Sequence, residues 1–203
     1  MLQKELFQIN MAESYWNDGI HERTAIFDLY FRSMPFNSGY AVFNGLKRVI
    51  DFIENFGFSD NDIEYLKTIG YKDDFLSYLK NLKFTGNIRS MQEGELCFGN
   101  EPLIRVEAPL IQAQLIETIL LNIINFHTLI ATKASRIRQI ALNDTLMEFG
   151  TRRGQEIDAA VWGARAAFIG GFDSTSNVRA GKLFDIPVSG THAHALVQTY
   201  RED

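Results

Sequence analysis

The sequence predicts an α/β protein in three parts: an N-terminal α+β domain over residues 1–108, a helical connector over residues 109–143, and the first βα units of a parallel array over residues 144–203. Three observations support this fold class. Amphipathic helical patterns and short alternating runs share the first part, a long apolar helical stretch follows Pro109, and strand and helix patterns alternate after Asp144.

The composition is that of a folded globular chain. Hydrophobic residues make up 46% and charged residues 22% of the 203 residues, which argues against disorder and fibrous repeats. With 20 Lys and Arg against 25 Asp and Glu and no basic patch, we expect no nucleic-acid partner. Cys97 is alone, the N-terminus lacks the apolar core of a signal peptide, and Glu117 interrupts the most apolar stretch. We therefore expect a cytoplasmic protein with no membrane partner.

Each element of the first part is predicted from local periodicity and from its end signals. Apolar side chains at helical spacing and Gly or Ser at the ends predict four helices, over residues 4–18, 40–56, 59–70 and 73–82. Residues 25–32 alternate as in a strand. Between residues 84 and 108, short runs separated by glycine and proline predict a small antiparallel sheet.

In the second half of the chain the spacing of apolar residues changes twice, first to that of a long helix and then to alternating strands and helices. Pro109 suits the first turn of a long helix to about Leu142, whose sparse polar residues predict burial on most sides. Strands are then predicted over residues 145–149, 169–172 and 186–189, with helices over residues 155–168 and 176–183. This order predicts parallel βαβ units with functional loops after the strand ends. The chain ends soon after the third strand with no helix to cover it, so we interpret it as a fragment.

Three loops follow the predicted parallel strands, at residues 149–155, 170–177 and 189–194. Loops at the carboxyl ends of parallel strands lie side by side, although about twenty residues separate them along the chain. We therefore expect one shared site at the carboxyl ends of the strands, which contains two guanidiniums, one carboxylate, several hydroxyls and two imidazoles.

Arg152 and Arg153 suit a phosphate or a carboxylate, because the guanidinium fork binds two oxygens at once. The structural alternative is an arginine at a helix start that pairs with Glu148 or Glu156. Asp173 could orient a substrate or hold a metal ion, but Asp-Ser-Thr is also an ordinary N-cap sequence. Both alternatives stay open at this point.

The histidines divide into two groups. His192 and His194 could ligate a metal only with further ligands that the chain does not obviously supply, whereas one of them suffices as a nucleophile or general acid–base. Either could instead simply end a strand. His127 is expected in the core and His21 at the surface.

Several motifs together resemble nicotinate phosphoribosyltransferase. They are FDLYFRSMPF at residues 27–36, GYAVF at 39–43, EFGTRR at 148–153, GGFDSTSNV at 170–178 and GTHAH at 190–194. The resemblance covers essentially the whole chain in the family's order, but only the N-terminal portion of what the family normally has.

The resemblance implies that nicotinate and 5-phosphoribosyl 1-pyrophosphate give nicotinate mononucleotide and pyrophosphate, the entry step of NAD salvage. It also implies Mg²⁺, and ATP as a co-substrate whose hydrolysis is coupled through a phosphorylated histidine. The fold implied is an N-terminal domain followed by an irregular phosphoribosyltransferase-type barrel, here incomplete. Family members commonly form homodimers in which one subunit's N-terminal helix reaches the partner's site.

The resemblance also assigns residues by position. His194 matches the phosphorylated histidine of the motif Gly-Thr-x-Ala-His, and Thr191 matches a residue that contacts nicotinate. Similarity to the related nicotinamide enzyme implies that Phe149 stacks on the pyridine ring, that Arg152 contacts phosphate, and that Asp173 lies near the ring.

One departure from the family concerns the N-terminus. Residues 4–8 stand where the family has Thr-Asp-x-Tyr-Gln, so Phe7 replaces a tyrosine that contacts the ring from the partner subunit. Stacking is retained, but the hydroxyl is lost.

The leading interpretation is the N-terminal portion of a nicotinate phosphoribosyltransferase, inactive alone because its phosphoribosyl pocket is half built and its open βα edge exposes apolar surface. A non-catalytic interaction subunit that pairs through this edge is the first alternative. A metal-dependent hydrolase that uses His192 and His194 is the second.

Overall fold

The computed structural model describes residues 2–200. The chain forms two compact units that divide between Leu129 and Ile130, inside one long helix. The first unit contains α1 (Leu6–Asn17), β1 (Thr24–Leu29), β2 (Ala41–Val42), α2 (Leu46–Glu54), α3 (Asp60–Thr68), α4 (Asp73–Asn81), β3 (Asn87–Ser90), β4 (Leu96–Cys97), β5 (Ile104–Pro109) and the start of α5 (Leu110–Ala141). The second contains the end of α5, β6 (Met147–Glu148), α6 (Ile157–Ile169), β7 (Ser174–Thr175), α7 (Val178–Phe184) and α8 (His194–Thr199).

The sheet of the first unit is antiparallel, in the order β1-β5-β3. Side chains of the central strand β5 alternate between buried and exposed, as expected for a strand with one face on the core. On the other face Asp28 lies opposite Arg105, and the two form a bidentate ion pair with both N–O distances at 2.7 Å. The small antiparallel sheet predicted between residues 84 and 108 is therefore present only in part: β3 and β5 pair in this sheet, whereas β4 pairs with β2 in a separate two-stranded sheet.

Helices α1 to α5 contribute to the core of the first unit. Its largest fully buried side chains include Phe43, Phe75, Leu66, Leu79, Leu103 and Ile104. The predicted start of α3 is confirmed, since Ser59 and Asp62 form a reciprocal capping box. His127 is buried as predicted. The surface position predicted for His21 is confirmed only in part, because its side chain is 20% exposed and its ring packs edge-on against Tyr78.

Helix α5 begins directly after Pro109, as the sequence predicts. By length and composition alone it could cross a membrane, but half of its most apolar stretch is buried inside the protein. Its residues between Ile111 and Ile124 include members of the core of the first unit.

The second helix is shorter than the periodicity predicts. It begins only at Leu46, because Gly45 adopts a φ of +109° and the preceding Ala41 and Val42 pair with β4. A side chain at Gly45 would lie 3.2 Å from His127 Cβ, so glycine also permits close approach to α5.

The second unit contains the predicted parallel βαβ arrangement. Strands β6 and β7 pair in parallel with α6 between them, and Val188 forms a further parallel bridge to Thr175. The second strand lies later than predicted, because α6 continues to Ile169 and the chain then turns at Gly171, whose φ is +106°. The third strand reduces to the single bridge at Val188. A short helix, α8, begins at His194, but none of its residues is buried, so α8 does not cover the third strand.

Candidate functional site

A cavity of about 660 Å³ lies in the second unit where the three loops meet. Its lining residues come from all three loops and from the starts of α6 and α7: Phe149, Thr151, Arg152, Arg153, Ile157, Val161, Ser176, Asn177, Val178, Arg179, Gly190, Thr191, His192 and Ala193. The structure therefore brings the three predicted loops together. From the second loop only the end at Ser176 and Asn177 reaches the cavity.

The lining has the chemistry of an anion site with an aromatic wall. Three guanidiniums, of Arg152, Arg153 and Arg179, line the cavity, and none of its lining residues is a carboxylate. The ring of Phe149 is 40% exposed and offers a flat apolar surface. Guanidiniums bind phosphate through paired N–H groups, and an aromatic face packs against a planar ring.

Arg152 and Arg153 occupy a short 3₁₀ turn, Thr151–Arg153, directly after β6. The alternative that they pair with Glu148 or Glu156 is not found, because within residues 2–200 neither guanidinium forms an ion pair with these carboxylates. Instead Glu148 accepts hydrogen bonds from the Gly150 amide and from Thr175 Oγ1, the latter at 2.6 Å. Both guanidiniums therefore lie at the cavity without a carboxylate partner in the described chain.

Asp173 lies outside the set of lining residues. Its Oδ2 accepts hydrogen bonds from the backbone N–H of Leu146 at 2.7 Å and from Arg138 Nη2 at 2.5 Å. These two donors, the backbone N–H first, lower the pKa of the Asp173 carboxyl. The N-cap role suggested for Asp173 was wrong, because Asn177 caps α7 with its side chain. The position of Asp173 near the pyridine ring of the substrate stays a prediction.

The third loop contributes Thr191 and His192 to the cavity. His194 is the exposed first residue of α8 and is not among the lining residues, although the adjacent Ala193 is. Phe7 belongs to α1 in the first unit, where its ring is 45% exposed. The structure thus brings together Phe149, Arg152, Arg153 and Thr191 of the predicted residues, and the roles of all of them remain predictions.

Sequence reasoning missed Arg179 and Asn177. Arg179 lies on the first turn of α7 and faces the cavity from a second element, while Asn177 is 7% exposed and bonded to the loop of the arginines. The available signal was Asn177 itself, a strong N-cap residue that could have fixed the helix start after it. With the start set there, Arg179 falls in the first turn beside the second loop.

The donor set at the cavity does not fit a metal ion held by the protein. Within residues 2–200 no group of three His, Cys, Asp or Glu side chains could hold a metal, and no carboxylate lines the cavity. His192 and His194 therefore have no third ligand in the described chain, so the hydrolase interpretation gains no support.

The chain is similar to nicotinate phosphoribosyltransferases over its whole length. The family model of the nicotinate phosphoribosyltransferase N-terminal domain matches residues 2–125. The chain is 64% identical to nicotinate phosphoribosyltransferase of Bacillus subtilis (strain 168), covering 100% of this chain and 41% of that protein. It is 42% identical to nicotinate phosphoribosyltransferase 2 of Arabidopsis thaliana, covering 98% of this chain and 36% of that protein. The chain thus spans about two fifths of the length of these relatives.

Solved structures show the same relationship. Human nicotinic acid phosphoribosyltransferase superposes with a TM-score of 0.91 at 37% identity, over 98% of this chain and 41% of that one. A nicotinate-nucleotide pyrophosphorylase from Pyrococcus furiosus superposes with a TM-score of 0.76 over 97% of this chain and 43% of that one. At 23% identity this second likeness shows the fold alone.

Proposed function

Because the chain belongs to the nicotinate phosphoribosyltransferase family, we propose that it supplies the N-terminal part of an enzyme of NAD salvage. The reaction joins nicotinate to the phosphoribosyl group of 5-phosphoribosyl 1-pyrophosphate and releases pyrophosphate. The observation that carries this proposal is the cavity in which Arg152, Arg153 and Phe149 meet in a chain so similar to the Bacillus enzyme.

The lining residues have the properties that this reaction needs. As pyrophosphate leaves, negative charge grows on its oxygens while the anomeric carbon gains oxocarbenium character. Guanidiniums fixed beside the leaving group stabilise that growing charge, and Arg152 and Arg153 are the residues we assign to this role. Phe149 would stack on the pyridine ring, with Thr191 as a further contact to nicotinate.

His194 is the proposed acceptor of a phosphoryl group from ATP. A neutral imidazole nitrogen is a good nucleophile near neutral pH, and the exposed position of His194 leaves it accessible to a nucleotide. Any Mg²⁺ would arrive with the phosphates of the substrates, because the described residues offer it no carboxylate cluster.

The remaining features of the whole enzyme are also proposals. They are a completed phosphoribosyltransferase-type barrel, a homodimer in which Phe7 reaches the partner's nicotinate site, the place of Asp173 near the base, and a cytoplasmic location. The chain covers 41% of the Bacillus relative, and we therefore attribute ligand binding rather than turnover to the isolated chain.

Binding measurements on residues 1–203 test the proposal. We expect calorimetry to detect binding of 5-phosphoribosyl 1-pyrophosphate to residues 1–203. We expect Arg152→Ala to weaken this binding by about tenfold or more, because the substitution removes a charge-assisted hydrogen-bonded pair. The control is Arg89→Ala, which removes an exposed arginine on β3 of the first unit. If the arginine at position 152 can be removed with no more effect than the control, this function is not the one that the cavity serves.

A further inference from the structure

Asn177 lies at the junction between the loop of the two arginines and helix α7. It is 7% exposed, and both ends of its side-chain amide are bonded. Asn177 Oδ1 accepts the backbone N–H of Ala180 at 2.9 Å, and Asn177 Nδ2 donates to Thr151 Oγ1 at 3.2 Å. The first bond caps α7, and the second reaches across to the 3₁₀ turn Thr151–Arg153.

A second route joins the same two segments. The backbone N–H of Asn177 donates to Thr175 Oγ1 at 3.0 Å, and Thr175 Oγ1 donates to Glu148 Oε2 at 2.6 Å. The other oxygen of Glu148 accepts the N–H of Gly150. Both routes from Asn177 thus end on Gly150 and Thr151, the two residues that directly precede Arg152.

The turn itself is closed by a hydrogen bond from the backbone N–H of Arg153 to the Gly150 carbonyl oxygen, at 2.8 Å. With Gly150 and Thr151 held, the backbone that carries the two guanidiniums has few ways to move. A preorganised cation site binds an anion more tightly, because less conformational entropy is lost on binding.

Capping alone does not account for the second bond of Asn177. An N-cap needs only an acceptor oxygen, which serine supplies as well as asparagine. The Nδ2 donor that contacts Thr151 is a property of the amide and has no part in the cap. The two roles can therefore be separated by substitution.

We propose that Asn177 is a positioning residue, which holds the turn Thr151–Arg153 through Thr151 and thereby preorganises Arg152 and Arg153 for a diphosphate-bearing ligand. The identity of the ligand rests on the proposed function. The effect of Asn177 on the turn does not.

The test uses residues 1–203 with Asn177→Ser, which keeps a capping oxygen but loses the amide donor, and Thr151→Val, which keeps Asn177 and removes its acceptor. Thr68→Val is the matched control, because Thr68 Oγ1 bonds only to the Tyr65 carbonyl within α3 of the first unit. Amide hydrogen exchange of the segment 149–154 and calorimetric titration with inorganic pyrophosphate are measured for each variant, with Arg152→Ala as the reference for binding.

We expect exchange in the segment to quicken, and pyrophosphate affinity to fall, by about fivefold to tenfold in both single variants, as loss of one hydrogen bond would produce. The double variant should bind pyrophosphate no more weakly, and exchange no faster, than the more strongly affected single variant, because both substitutions remove the same hydrogen bond. If Asn177→Ser unfolds the unit, Thr151→Val still tests the bond, since it leaves the cap of α7 in place.

Two results would overturn the proposal: exchange at the wild-type rate in Thr151→Val, or faster exchange with pyrophosphate affinity unchanged while Arg152→Ala weakens it. If Arg152→Ala itself leaves the affinity unchanged, the proposed function has failed. The exchange rates alone then decide whether Asn177 holds the turn.

Discussion

The ammonium group of Lys4 lies in an unusual place for a charge. Its Nζ is 5.8, 5.3 and 6.0 Å from the ring centroids of Phe52, Phe56 and Phe58, and it donates a hydrogen bond to the Leu115 carbonyl oxygen. Burial lowers the pKa of Lys4 from 10.5 to about 8. The rings and the carbonyl oxygen favour the ammonium and offset part of the cost of removing it from water.

This pKa shift predicts how stability depends on pH. Between pH 8 and 10.5 the unfolded chain keeps the Lys4 proton that the folded chain has lost, so the free energy of unfolding contributed by this group rises with pH across that window. Below the window the contribution is constant. Urea unfolding of wild type and Lys4→Met at several pH values checks this prediction, because the methionine variant lacks the rise. Parallel stability profiles for the two proteins would contradict it.

Asp173 gives a prediction of opposite sign. The pKa of its carboxyl is lowered by the Leu146 N–H and by Arg138, so its stabilisation is present above the pKa of an unfolded aspartate and is lost as pH falls through the lower folded value. Arg138 also donates to the carbonyl oxygens of Gly171, Leu142 and Asp144. The Asp173 carboxylate therefore balances the charge of a guanidinium that connects the end of α5 to the segments that precede β6 and β7.

We expect Asp173→Asn to lower the melting temperature near neutral pH, and we expect this difference from wild type to shrink in acid. Thermal unfolding at the two pH values measures both effects, with Asp158→Asn as a control carboxylate at the start of α6. A variant as stable as wild type at neutral pH but altered in nicotinate binding would instead place Asp173 at the base.

At the scale of elements, long helices and helices with a specific cap are predictable from the sequence, whereas two-residue strands are not. The long helix after Pro109 and the capping box at Ser59 could be predicted, because many residues or a specific pair of side chains determine them. Strands β6 and β7 are two residues each, and two residues carry no periodicity. The prediction placed the second strand over residues 169–172, which form the last residue of α6 and the turn that follows it, because apolar Ile169 suits either element.

Helix α7 packs closely on residues 186–188, the segment whose Val188 forms the parallel bridge to Thr175. A Cβ at Gly181 would clash with Val188 Cγ2 and would lie 3.1 Å from the Ile186 carbonyl oxygen. Val188 is also the residue that bridges to Thr175. Glycine at position 181 therefore lets α7 and the Val188 bridge coexist.

We expect Gly181→Ala to destabilise the second unit by about 1–3 kcal/mol, the usual cost of overpacking a tight contact. Chemical denaturation measures the loss, and Gly39→Ala is the matched control, since nothing lies within 4 Å of a Cβ there. Equal stability of the two variants would show that Val188 moves aside at little cost.

At the scale of the whole chain, the meeting of the three loops could be predicted because parallel topology alone dictates it. Arg152 and Phe149 follow directly from that rule, since they come right after a strand. Arg179 and Asn177 could not be placed in the same way, because their positions depend on where a seven-residue helix begins. The partners of Asp173 also depend on the close approach of Arg138, which lies 35 positions earlier in the sequence.

The extent of the chain leads to a prediction about activity. We expect residues 1–203 to form little or no nicotinate mononucleotide from nicotinate, 5-phosphoribosyl 1-pyrophosphate and ATP, because the chain spans 41% of the Bacillus relative. Chromatographic detection of the product checks this, with the Bacillus enzyme assayed in parallel. Turnover comparable to that enzyme would mean that these residues suffice for catalysis.

The three guanidiniums at one cavity have a kinetic consequence in a chain whose formal net charge is −5. At long range the net negative charge of the chain repels a multivalent anion, and close to the cavity the three guanidiniums attract it. Electrostatic attraction of this kind raises the association rate of the anion with the cavity. It weakens at an ionic strength of about 0.1–0.15 M, where salt screens charges that are more than about 8–10 Å apart. Capture of a polyphosphate should therefore slow steeply as ionic strength rises.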